Sequence, residues 1–308
     1  MVGIQERKLS RKADGARAKF QNILLATDFS GSANTAVAYA AGLARSFGAK
    51  LYAMHVQEPI NYALPVQEWQ SLELTRELEI DFLFEAVRRE SPEITPHIVL
   101  GEGTVWRAVE DAVTKYEIDL VVVGTRGRTG IGKALLGSVA EEIMRHASCP
   151  VLTVGPRVCQ AKGRRGKMAS ILFATDFGAA SLEAARIAIS LAEENEARLT
   201  LLHVIDNRKA HEMRMPGDAD DSCERQLRAL VSDEAAMWCE PHYIVQHGWP
   251  AEKILEEADA READLIVLGV HNSKGVPGAA SHLPMATVHN VIAHATAPVL
   301  TVRTDRLQ

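Results

Sequence analysis

The chain has 308 residues, 47% of them apolar, and a formal net charge of −6. That length supports two separate hydrophobic cores, and the negative balance argues against strong non-specific binding to DNA or to anionic membranes. No apolar run approaches the roughly 18–20 residues of a membrane-crossing helix, and the basic N-terminus lacks the apolar stretch of a secretory signal.

In chain order, residues 1–20 form a basic tail with Arg7, Lys8, Arg11, Lys12, Arg17 and Lys19. NILLATDF, Asn22 to Phe29, then predicts a first strand that runs out into Thr27 and Asp28, and KLYAMHV, Lys50 to Val56, predicts a second. A long helix is expected over Val66 to Glu90, ended by Pro92. Leu120 to Val123 is a short run of apolar residues, Val139 to His146 reads as a helix, and CPVLTV closes the series at Val154. Residues 155–169 carry Arg157, Lys162, Arg164, Arg165 and Lys167 with no acidic residue, which describes a solvated linker.

Beyond the linker the same phrases return. SILFATDF (Ser170 to Phe177) answers NILLATDF, RLTLLHV (Arg198 to Val204) answers KLYAMHV, DLIVLG answers DLVVVG, and APVLTV answers CPVLTV. Asp28 and Asp176 stand 148 residues apart, as do Pro150 and Pro298. Each copy has the length of one ordinary domain. The second repeat is expected to place one helix near Ala219 to Trp238, on an apolar stripe that includes Cys223, Leu227, Val231, Met237 and Trp238, and to start another at Pro250. Strands apolar on both faces, alternating with helices, predict an α/β fold. Two tandem doubly wound, Rossmann-like domains follow, each an open parallel five-stranded sheet with helices on both faces. The expected boundaries are 21–156 and 170–304, with the linker at 157–169.

The most telling segment is GTRGRTGIGKALLGS, Gly124 to Ser138, between a strand and a helix. Glycine removes the Cβ that would hold a phosphate off the backbone, and a helix N-terminus favours an anion. Ser138 is expected to be the N-cap, with Glu141 completing a capping box. Gly127, Gly132 and Lys133 approach a Walker A run, but Ala134 stands where a hydroxyl would bind magnesium. Arg126, Arg128 and Lys133 either neutralise phosphate or are solvated loop charges.

The spacing Gly124-x2-Gly127-x9-Gly137-Ser138 resembles the universal stress protein family, whose nucleotide-binding members carry Gly-x2-Gly-x9-Gly-Ser/Thr. The resemblance covers nearly the whole chain as two tandem domains. It implies ATP binding, with magnesium left open, and a role in stress response or signalling. It also implies a site of Ala26, Thr27, Asp28, Val56, Val123, Gly124, Arg126, Gly127, Gly137, Ser138 and Val139. Within that set Asp28 would contact the nucleoside and Val56 the base. Read from the residues alone, Asp28 could equally cap the next helix and Val56 could be simple core. The family further suggests domain pairing through the last strands, here PVLTV in each repeat, with higher homo-oligomers left open.

The second repeat keeps Gly269, but Asn272 replaces the second glycine and bulky residues stand where Gly and Ser belong. Weak or absent nucleotide binding and a structural or regulatory role are expected there. His271, His282, His289 and His294 surround that altered loop but match no metal-ligand spacing. Cys149, Cys159, Cys223 and Cys239 form no CxxC pair and read as free thiols of a reducing cytoplasm. Two other functions stay open. A slow ATP hydrolase would use Asp28 or Glu141, although no paired-carboxylate or Ser/His/Asp arrangement stands out; a nucleotide-free scaffold would use neither.

Overall fold

A computed structural model describes residues 20–28, 31–57, 66–125, 137–158, 168–206, 216–270 and 285–303, without the side chains of 31–34, 66–73 and 216–219. The first repeat runs β1 (Asn22–Ala26), α1 (Gly31–Phe47), β2 (Lys50–Gln57), α2 (Val66–Glu90), β3 (His97–Glu102), α3 (Val105–Lys115), β4 (Leu120–Gly124), α4 (Ser138–His146) and β5 (Val151–Val154). The second runs β6 (Ser170–Thr175), α5 (Ala179–Asn195), β7 (Arg198–Asp206), α6 (Pro216–Arg228), α7 (Asp233–Cys239), β8 (His242–Gly248), α8 (Pro250–Ala260), β9 (Leu265–Val270), α9 (Met285–His294) and β10 (Val299–Arg303).

All ten strands join one sheet in the order β3-β2-β1-β4-β5-β10-β9-β6-β7-β8. Every pair within a repeat is parallel. At the seam β5 and β10 run antiparallel, with Leu152 opposite Leu300. These two leucines are 148 residues apart, so each lies opposite its own repeat counterpart. That is the arrangement around a two-fold axis.

Alternate strand residues feed opposite faces, as the pleat requires. Ile23 and Leu25 pack with α1 and α2 residues such as Ala40 and Val87, in a core that continues through the second repeat. Leu24 and Ala26 pack on the other face with Val109, Ala140 and Ile143. Met144, fully buried on α4, belongs to the second repeat's core beside Leu172, Val291 and Ile292. The repeats therefore share packed interior as well as strand hydrogen bonds.

At the amino ends of the strands, Asp119 accepts from the amides of Gln21 (2.7 Å) and Asn22 (3.1 Å). Asp264 does the same for Ala169 (2.8 Å) and Ser170 (3.2 Å). The repeated Asp of DLVVVG and DLIVLG is thus a clamp on the start of the neighbouring strand. α2 has the bounds that the sequence indicated, and Pro250 occupies the first turn of α8.

One expectation fails. The stripe around Ala219 to Trp238 is two helices, because Ser232 turns extended (φ −72°, ψ 157°) and its hydroxyl accepts from the Ala235 amide at 3.2 Å. A serine in that conformation is a helix start. Leu227 is fully buried, whereas Met237 and Trp238 point outward at 74% and 56% exposure.

Candidate functional site

Within each repeat the strand order reverses between the first and fourth strands, and open parallel sheets bind ligands at that switch, beyond the carboxyl ends. In the first repeat β1 lies between β2 and β4, with Ala26 opposite Met54 on one side and Val123 on the other. Thr27 prolongs the ladder by donating its amide to the Met54 carbonyl at 3.0 Å. Ala26, Thr27, Asp28, Val123 and Gly124 therefore gather at one sheet end, and Val56 lies two residues beyond Met54 on the flanking strand. The Val56 side chain is half-buried against the core, where it would touch a Cβ placed on Gly101 at 3.2 Å. Asp28 is half-buried at the mouth.

Gly124 is the last residue of β4, paired with Val154, and Thr125 continues the ladder with its amide on the Val154 carbonyl (3.2 Å). Gly137 then donates its own amide to the Thr125 carbonyl at 2.9 Å, so the two ends of the glycine-rich loop are tied together. Arg126 and Gly127 lie outside the described residues, as do Arg128 and Lys133.

The expected capping box is absent. Gly137 is the N-cap (φ −63°, ψ 145°), no side chain caps the terminus, and Ser138 is already the first helical residue. Glu141 reaches down the helix instead, accepting from Arg145 Nε at 2.9 Å. Gly and Ser are both competent caps, and the tie from Gly137 to Thr125 moves the start by one residue. Consequently, among the described residues, no side chain caps the first-turn amides, which have no carbonyl to bond within the helix. Val139 beside them is 38% exposed.

A polar chain that the sequence reading missed supports the Thr27 end of the sheet. His55 Nδ1 lies 2.9 Å from the Thr27 carbonyl, and His55 Nε2 lies 3.8 Å from Glu79 on α2. Glu79 also accepts from the Gln57 amide nitrogen, and Gln57 Oε1 is buried without a partner among the described residues. The second repeat repeats the first link, with His203 Nδ1 2.8 Å from the Thr175 carbonyl. The recurring HV of the two strand phrases was the available signal. Glu79 lies a crossover away and carries no local one.

Two stretches, residues 19–155 and 168–303, match the family model described as Universal stress protein family. The chain belongs to that family. A universal stress protein of Mycolicibacterium smegmatis is 29% identical over 297 residues, covering 91% of this chain and 96% of its own length. One from Thermus aquaticus is 35% identical over 139 residues, 44% of this chain but 98% of that protein. Among solved structures, a universal stress protein from Archaeoglobus fulgidus superposes with a TM-score of 0.67 at 19% identity, covering 92% and 98% of the two chains. The chain is a tandem universal stress protein with a mostly parallel α/β sheet.

The rear half of this tandem stress protein treats the same positions differently. Asp176, the counterpart of Asp28, accepts from the Gly178 amide (2.9 Å) and the Ser181 hydroxyl (2.6 Å), which commits its carboxylate to the start of α5. Ala33 holds the Ser181 position in front and has no hydroxyl to offer. Phe177 adopts a left-handed conformation (φ 60°) and lays its ring over His203, centroids 4.5 Å apart. A Cβ on Gly269 would run into the Ala180 carbonyl carbon at 2.6 Å, so this glycine serves the close approach of α5 to β9.

Among the described residues no group of three or more His, Cys, Asp or Glu could hold a metal ion. His271 and His282 fall outside that description. His294 bonds the Asn290 carbonyl on its own helix, and His289 faces Glu141 across the seam at 3.9 Å. Cys149 is a free thiol pushed up to about 12, first by burial and then by Asp119, which keeps it unreactive. Cys223 and Cys239 are also free and raised, mainly by burial; Cys159 is outside the described residues. No helix among the described residues is long and apolar enough to cross a membrane.

Proposed function

We propose that the front repeat binds ATP and that the protein acts in stress response or signalling through this binding, in the cytoplasm. The two functional units take residues 21–156 and 170–304, joined by 157–169. The observation that carries the reading is the start of α4: an uncapped terminus, opened by Gly137, beside the switch point of the sheet. Such a terminus offers free N–H groups and the positive end of the helix dipole to an anion.

The phosphates rest on the Ser138 and Val139 amides and on the loop residues Arg126 and Gly127. Gly137 contributes space, since its own amide is spent on Thr125. Ala26, Thr27, Val123 and Gly124 form the floor. Asp28 takes the nucleoside and the Val56 end of β2 takes the base. ATP supplies the charged phosphate chain that the terminus fits, and magnesium would come as its companion. Binding is favoured over catalysis because Glu141, a candidate base near the terminus, is engaged by Arg145. The rear repeat is structural or regulatory.

Native mass spectrometry and calorimetric titration test the proposal. One ATP per chain is expected. Gly137→Val keeps an allowed backbone conformation but fills the space above the amides, so nearly all binding should vanish. Half of the binding surviving that change would refute the front-only site.

A further inference from the structure

We propose that the Thr125 hydroxyl is a direct ligand of the phosphate chain, an assignment that rests on the ATP-binding reading above. Thr125 follows Gly124 at the end of β4 and is 2% exposed, yet its Oγ1 has no hydrogen-bond partner among the described residues. Its backbone is fully employed: the amide bonds Val154 and the carbonyl receives the Gly137 amide. The side chain alone is unspent.

The pleat fixes where that side chain lies. Val121 and Val123 pack with Ala140 and Ile143 of α4, and residues two apart on a strand share a face. Thr125 is the next residue on that face. It therefore stands under the start of α4, where its own carbonyl receives the Gly137 amide. A buried hydroxyl with no partner destabilises a protein, and valine of the same shape would remove the penalty. The rear repeat has made that replacement: Val270, equally buried, occupies the corresponding position after Gly269.

A hydroxyl that is unsatisfied in the empty protein and satisfied by a phosphoryl oxygen explains both the threonine in front and the valine behind. The hydroxyl donates its proton to the anion, beside the amides of the helix start. Thr153 Oγ1 also lacks a partner, but it is opposite Val123, a pleat deeper in the sheet.

The test is displacement of a fluorescent ATP analogue by ATP and by adenosine, in wild type, Thr125→Val and Thr125→Ser, with the melting temperature of each unliganded protein. In Thr125→Val, ATP should weaken about tenfold, the value of one hydrogen bond to a charged group. Adenosine should displace as in wild type, Thr125→Ser should bind ATP within about twofold of wild type, and the empty valine variant should melt no lower. Unchanged ATP binding in Thr125→Val overturns the assignment while leaving the ATP site standing. Equal losses for ATP and adenosine, with a lower melting temperature, also overturn it by showing a structural role. A wild type that binds neither compound removes the ATP reading and this assignment with it.

Discussion

The front and rear repeats share a strand order, a pair of carboxylate clamps and a histidine latch, and they part company at the carboxyl ends of their strands. In front, Thr125 follows β4 with a hydroxyl that has no partner among the described residues, and α4 starts at Gly137 without a side-chain cap. Behind, Val270 replaces the threonine, and Asp176 is tied to Gly178 and to Ser181, whose front counterpart is Ala33. The difference teaches that one fold can keep its frame and change the carboxyl end of its sheet with a handful of side chains. Scaffold residues and site residues are separable here because they occupy opposite ends of the same strands.

Four substitutions can break or sharpen this contrast. The largest effect is expected from Met144→Ala, which empties a fully buried position where the front repeat enters the rear core. A loss of about 2–5 kcal/mol is expected, read by urea unfolding of the whole chain. A loss under about 1 kcal/mol would show that the repeats do not depend on a common interior.

Next comes the pair Asp28→Ala and Asp176→Ala. The rear change removes the hydrogen bonds from Gly178 and Ser181 at the start of α5 and should lower stability by about 1–2 kcal/mol without altering nucleotide stoichiometry. The front change should weaken ATP binding. Titration and thermal melts on both variants decide it, and identical behaviour of the two would erase the proposed asymmetry. Smallest is Arg145→Ala, which releases Glu141 from a half-exposed helix pair. About 0.3–0.5 kcal/mol should be lost, and less at high salt.

Much of the frame was legible in the sequence because it is written in runs. Repeated apolar phrases mark the strands, Val66 to Glu90 marks its helix, and Pro250 marks a start. Single-residue decisions were not legible. Ser232 splits a stripe that looks continuous, because a cap interrupts a helix without interrupting its apolar spacing. Gly137 and Ser138 can each begin a helix, and only the hydrogen bond to Thr125 decides between them. The chain from Thr27 through His55 and Glu79 to Gln57 links residues from three elements, so no local pattern announces it. Thr125 was hidden for another reason: its significance lies in a bond that it does not make.

The antiparallel join of β5 to β10 has a consequence for behaviour in a cell. Two separate molecules that pair through such strands come apart when they are scarce. Here both strands are tethered on one polypeptide, where local abundance is set by the tether and not by expression level. The seam should therefore hold at any copy number, and two unlike halves are always delivered in a one-to-one ratio.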